Sequence, residues 1–328
     1  MNSNNNVTIK YAVDNFIKLV EQSRSLNTAL SYKKGLNLFM EVLKKNHIEV
    51  DKNDISVVNE DTLPRFLEEL KTFSPASEQL YISAVNRFFN YLSAEKLSEI
   101  NLPRMKEIVR MRSRKIGHRL PQFPRSEIES LIQSIISMTI AVEDPERLRD
   151  LRDRAFIVVL SDTGLRVHEA CNLRRGDIDW NEGRAVIIGK GNKQAVIRFS
   201  IRSMELLREY LRIRSTMDGK SGKTLASLPL FSRHDKGAGS KIKPITPTTG
   251  RNIIVERVKQ FLGEESQGKI TPHSFRHYFV TTVLRASGNL KLAQELARHS
   301  NISVTQRYAH LSDDELDKGY FDIFDNKK

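Results

Sequence analysis

A chain of 328 residues is long enough for two domains, each with its own buried core. Its 53 Lys and Arg against 40 Asp and Glu leave a net charge of +13 and a pI near 9.7, which points to a polyanionic partner such as nucleic acid. The single cysteine, Cys171, excludes an internal disulfide framework, no apolar run reaches membrane-spanning length, and the polar start MNSNNN does not read as a signal peptide, so the expected location is the cytoplasm.

The first hundred residues carry helical periodicity four times over, in YAVDNFIKLVEQ, TALSYKKGLNLFMEVLKK, LPRFLEELKTF and SEQLYISAVNRFFNYLSAEK. Apolar residues three and four apart, such as Leu80, Ile82, Val85, Phe88, Phe89 and Leu92, predict one buried stripe per helix. Residues 1–102 are therefore expected to form a four-helix domain. Residues 103–124 read as a basic linker, because Pro103, Gly117, Pro121 and Pro124 surround a dense cationic run. Within it Arg110, Arg112, Arg114, Lys115 and Arg119 are candidate DNA contacts, whose binding would weaken steeply with salt as counterions are released.

A second domain is expected over 125–328. Ser126 and Glu129 have the spacing of a capping box ahead of Ile128, Leu131, Ile132 and Ile135. The next helix, about 147–161, has an apolar end at Phe156–Leu160 and is closed by Gly164. TGLRVHEACNL then sets Arg166 and Glu169 one turn apart at the start of another helix, with Cys171 in the core. The stretch AVIIGKGNKQAVIRFS reads as a β-hairpin with Lys190 at or near its turn, and with residues 177–180 it suggests a small three-stranded antiparallel sheet. Helices at 201–215 and about 248–262 flank loops at 219–222 and 233–247.

The stretch 271–310 carries the densest chemistry. Thr271 can cap a helix that Pro272 opens, so His273 and Arg276, three apart, project from one face and can touch one ligand together. A break at Gly288-Asn289 precedes a second helix, about 290–298, that ends at His299, and a short turn from Ser303 presents Tyr308.

T-G-L-R-x-x-E, the G-K-G-N-K hairpin, H-x-x-R, and A-R-H-S followed by Tyr308 together resemble the tyrosine recombinase family of integrases and Xer-type resolvases. The likeness is specific over 163–310 and generic before it. It implies a mainly α fold: an N-terminal helical core-binding (SAM-like) domain and a mostly helical catalytic domain with a small antiparallel sheet, clamping double-stranded DNA from opposite sides. It also implies that Arg166 and Arg276 are the two catalytic arginines, Lys190 the hairpin lysine, His273 and His299 the histidines and Tyr308 the nucleophile, with Glu169 the family's supporting acidic residue. Arg298 is a departure, standing where a glycine commonly precedes the histidine.

Phosphodiester exchange needs an in-line nucleophile, charge stabilisation on the nonbridging oxygens and an acid for the leaving group, and each need has a candidate among these residues. A phenol with pKa about 10 is roughly one part in a thousand ionised at neutral pH, so Tyr308 needs cationic surroundings or a base. His273 can take its proton or hydrogen-bond the phosphate. Arg166 and Arg276 can grip oxygens with planar forks, His299 adds a donor, Lys190 is the candidate general acid, and Glu169 holds the arginine. No compact carboxylate cluster marks a two-metal nuclease, so no metal, ATP or other cofactor is expected. A 3′-phosphotyrosyl link lets a free 5′ hydroxyl reseal the DNA, and exchange between two inverted-repeat sites calls for a symmetric assembly. By the same resemblance, the tail DDELDKGYFDIFDNKK docks on a neighbouring protomer in a tetramer, with accessory proteins as possible further partners. A type IB topoisomerase shares the chemistry, but the separate helical domain counts against it. A non-catalytic DNA-binding regulator would lack one of the six groups, and all six are present in order.

Overall fold

The computed structural model describes residues 7–114, 124–188, 194–235, 237, 241–299 and 301–306. The chain divides into two compact units, Met1–Arg119 and Leu120–Lys328. In the first, α1 (Ile9–Ser23), α2 (Leu26–Lys45), α3 (Leu63–Glu69) and α4 (Pro75–Ala94) are the four helices read from periodicity. Thr8, Ser25 and Ser74 open α1, α2 and α4, each side chain accepting the backbone N–H three residues on. Their apolar stripes meet in a core built round Phe16, Phe39, Phe66, Phe88 and Phe89, with Phe39 packed edge-on against Phe66 at 5.3 Å.

Two details of this unit differ from the sequence reading. Leu80 is 43% exposed, while Glu78 is buried in its place. The buried stripe of α4 thus runs through 78, 82, 85, 89 and 92, and the cost of burying a carboxylate is offset by Lys71 and Arg114, which both donate to it. Residues 102–112, most of them assigned above to a linker, form a fifth helix, α5 (Leu102–Arg112). Asn101 caps it, Pro103 sits in its first turn where a missing N–H costs nothing, and Met105 and Ile108 join the core. The proline read as a breaker is a helix opener.

The second unit contains α6 (Arg125–Ser137), α7 (Glu146–Thr163), α8 (Val167–Asn172), β1 (Ile178–Asp179), β2 (Arg184–Ile188), β3 (Gln194–Arg198), α9 (Ile201–Gly219), α10 (Pro247–Leu262), α11 (Pro272–Ser287), α12 (Leu290–Ala297) and α13 (Ile302–Gln306). The capping box expected at Ser126 does not form. The helix starts two residues earlier, with Pro124 rather than Ser126 at its cap; Ser126 bonds to Glu127, and Glu129 is drawn to Arg125 at 2.8 Å. The apolar end of α7, Phe156 to Leu160, is fully buried at the centre of the core. The three strands pair antiparallel in the order β1-β2-β3, with Ile178 opposite Ala185 and Val186 opposite Val196. The hairpin connection that carries Lys190 lies outside the described residues.

Behind this core a fully buried Arg214 ties α9 to the segment 229–232. It donates to Asp218, Tyr210, Ser232 and the carbonyls of Pro229 and Leu230, so its charge is paired and its donors are used. Among the described residues, no helix is long and apolar enough to cross a membrane.

Candidate active site

Four helix ends converge on Arg166, Glu169, His273, Arg276 and His299. Gly164 closes α7 with φ +59, a left-handed conformation, and a Cβ there would collide with the Phe279 ring on α11. The absent side chain lets α7 and α11 approach, and the Gly164 carbonyl points at α11. Arg166 is the extended residue that opens α8, and Glu169 accepts its backbone N–H at 2.9 Å and its Nη1 at 2.8 Å. Thr271 opens α11, its backbone N–H bonding to the Ser274 hydroxyl at 3.0 Å. His273 and Arg276 follow on that helix as the three-residue spacing requires.

Arg276 is buried and holds the cluster together. Its Nη1 donates to the Gly164 carbonyl at 2.5 Å and its Nη2 to the carbonyl of Ala297, the last residue of α12. One guanidinium thus joins the C-terminal ends of α7 and α12 to α11. His299 follows two residues on, after Arg298, with Nδ1 2.9 Å from the Oγ1 of the buried Thr305 on α13. Arg166, His273 and Arg276 line an open cavity of about 440 Å³, together with Leu165, Ile270 and the unforeseen Arg251.

Burial pushes the His299 and His277 imidazoles down to about 4, with the Arg276 guanidinium acting in the same direction on both. His273 is lowered by burial and then by Arg276 and Arg166. Burial would raise the Glu169 carboxyl, but Arg298, the Arg166 N–H and the Arg166 side chain hold it below the usual range. The buried Cys171 thiol is pushed up to about 12, so it is a core residue rather than a nucleophile.

These histidines give stability a sign with pH. Their folded pKa values lie below the ordinary 6.5, so between about 6.5 and 4 the unfolded chain binds more protons than the folded one. Their contribution is complete above pH 6.5 and is lost as pH falls toward 4. Urea unfolding should therefore show a lower midpoint at pH 5 than at pH 7, in a range where carboxylates still contribute little. Equal midpoints would contradict the buried, neutral histidines.

The structure thus brings together Arg166, Glu169, His273, Arg276 and His299, while Lys190 and Tyr308 lie outside the described residues. Of the basic run, Arg114 engages Glu78 and the Phe73 carbonyl inside the first unit. Arg110 is exposed and paired with Glu107, Arg112 is exposed, and Lys115 and Arg119 are outside the described residues. Sequence reasoning missed His277, whose ring packs edge-on to His273 at 4.5 Å, although the spacing H-x-x-x-H placed it on the same face. It also missed Thr305 and Arg251, which carry no local signal. Among the described residues no three His, Cys, Asp or Glu side chains are grouped to hold a metal.

Residues 123–315 match the phage integrase family, and residues 13–96 match the phage integrase N-terminal SAM-like domain. The tyrosine recombinase XerC of Treponema denticola is 30% identical over 298 residues, covering 88% of this chain and 90% of the relative. That of Anoxybacillus flavithermus is 30% identical over 315 residues, covering 94% and 95%. The fold is shared with the XerH site-specific recombinase bound to a palindromic difH substrate (TM-score 0.68, 20% identity, 94% of this chain and 83% of that one). It is also shared with the Tn1549 transposon integrase in complex with a circular intermediate DNA (TM-score 0.66, 18% identity, 97% and 99%). Matched in both of its units and along nearly its full length, this chain belongs to the phage integrase family and is a tyrosine recombinase.

Proposed function

We infer that Arg166, Lys190, His273, Arg276, His299 and Tyr308 form one active site, with which this recombinase cleaves and rejoins DNA at specific sites. The observation that carries this is the Arg166–Arg276 pair, fixed by Glu169 and two helix-end carbonyls on one open cavity among neutral histidines. In the first step the Tyr308 oxygen bonds to phosphorus and the bond to the 5′ oxygen breaks. The phenolic proton passes to His273, which is neutral and able to take it. The departing 5′ oxygen takes a proton from Lys190. The arginines hold the two nonbridging oxygens as charge builds on them, and their fixed positions remove the cost of reorganising at that moment. In the tautomer in which Thr305 donates to His299 Nδ1, the ring proton sits on Nε2 and serves as a further donor. Rejoining runs the same steps backwards with a 5′ hydroxyl from another strand.

The substrate of this reading is double-stranded DNA with inverted-repeat sites, bound by both units. It is supported by the likeness to tyrosine recombinases named XerC and by the palindromic substrate on a protein of the same fold. The test is covalent capture: the protein is incubated with sheared, nicked DNA of the source organism, denatured, and the attached fragments are sequenced. Adducts at a few inverted-repeat sites are expected. Adducts scattered without preference would favour a type IB topoisomerase instead, and none at all a non-catalytic binder.

Strand exchange between two sites requires four protomers. The tail beyond Tyr308 offers Leu316, Tyr320, Phe321, Ile323 and Phe324 to a neighbour. Deleting 316–328 should leave cleavage of isolated sites in place and abolish the paired complex in a native gel. Unchanged pairing would eliminate docking through the tail.

A further inference from the structure

Arg298 is a cation that the reading above leaves without a role, and its setting is unusual in two respects. It is the residue after α12 and lies at φ +58, where glycine is free of strain and arginine is not. Its side chain turns inward until only 10% of it is exposed. Its Nη2 reaches Glu169 Oε2 at 3.2 Å and the Gly164 carbonyl at 3.3 Å, while Nε and Nη1 have no hydrogen-bond partner among the described residues. A strained backbone and a desolvated charge at one residue are retained only where the surroundings gain from them.

The two atoms it touches are the ones that place the catalytic arginines. Glu169 holds Arg166, and the Gly164 carbonyl holds Arg276. Arg166 meets the carboxylate side chain to side chain through Nη1 alone, and its own side chain stays 38% exposed toward the cavity. A carboxylate served by one guanidinium draws it into a two-pronged pair. Here Oε2 is already shared by the Arg166 N–H and by Arg298, so the second prong has no acceptor.

We propose that Arg298 is a positioning residue, which by occupying Glu169 Oε2 and the Gly164 carbonyl keeps Arg166 from collapsing onto Glu169 and leaves its fork for the scissile phosphate. The proposal rests on the active site inferred above. When Arg298 is removed, Arg166 turns to the carboxylate and leaves the cavity, but only while a carboxylate is there to receive it. The loss therefore depends on Glu169, which an effect confined to folding would not.

The test measures adduct formation on the nicked, sheared genomic DNA for wild type, Arg298→Gly, Glu169→Gln and the double variant, as a function of DNA concentration. Glycine keeps the left-handed turn and removes the whole side chain, the guanidinium included. Arg298→Gly should lower the limiting rate by about 10- to 100-fold, with half-saturation unchanged within about 2-fold, since a misplacement near 1 Å is enough for such a loss. The double variant should be no slower than the slower single one. A limiting rate equal to wild type, or losses that multiply in the double variant, would overturn the proposal. Should Arg298→Gly fail to fold by circular dichroism, Arg298→Met keeps the buried length without the charge and is read the same way. If neither folds, Arg298 is a requirement of the fold and the positioning role is rejected. Absence of adducts with wild type itself defeats the inferred active site, and this proposal with it.

Discussion

Tyr308→Phe should bind DNA with wild-type affinity and form no covalent adduct at all. The change removes one oxygen and keeps the ring, so what DNA contacts the ring makes by stacking or packing persist. The inferred nucleophile is gone. The inferred chemistry gives no substitute, and a histidine attacking in its place would leave a phosphoramidate that acid treatment hydrolyses, whereas a phosphotyrosyl bond survives. The measurement is a gel-shift titration beside denaturing electrophoresis of labelled, nicked DNA from the capture experiment. An acid-stable adduct in the variant would move the nucleophile to another residue.

Lys190→Ala should lower the cleavage rate by a factor on the order of 10²–10⁴, the range for loss of a positioned general acid. An alkoxide is a poor leaving group without a proton. A thiolate is not, since a thiol has a pKa near 8.5 and leaves as the anion. The variant should accordingly regain most of the lost rate on a duplex whose scissile 5′ oxygen is replaced by sulfur. Equal impairment on both substrates would remove Lys190 from the acid role and leave it as a charge on the phosphate.

Much of this was legible in the residues because periodicity and helix punctuation are local. The spacing His273-x-x-Arg276 fixes two side chains on one face whatever surrounds them, and Gly164 announces a helix end that only a glycine forms without strain. Three of the misreadings have a common cause in partners far along the chain. Glu78 is buried instead of Leu80 because Arg114, thirty-six residues on, arrives to neutralise it. The run through Arg110 and Arg112 looked like a linker because charge and proline dominate its composition, yet Met105 and Ile108 find the core of the first unit. Arg298 read only as a departure from a common glycine. Its ion pair with Glu169 spans 129 positions, and no local pattern could supply it.

The Gly164 carbonyl has two lone pairs, and two guanidinium groups are bound to them. A peptide oxygen filled in this way screens two like charges from one another and makes each hard to displace, since either departure would leave a buried acceptor empty. The cationic stage therefore stands assembled before any DNA arrives. Calorimetrically, binding should show little ordering of this cluster, and the heat-capacity change on forming the complex should report surface covered elsewhere.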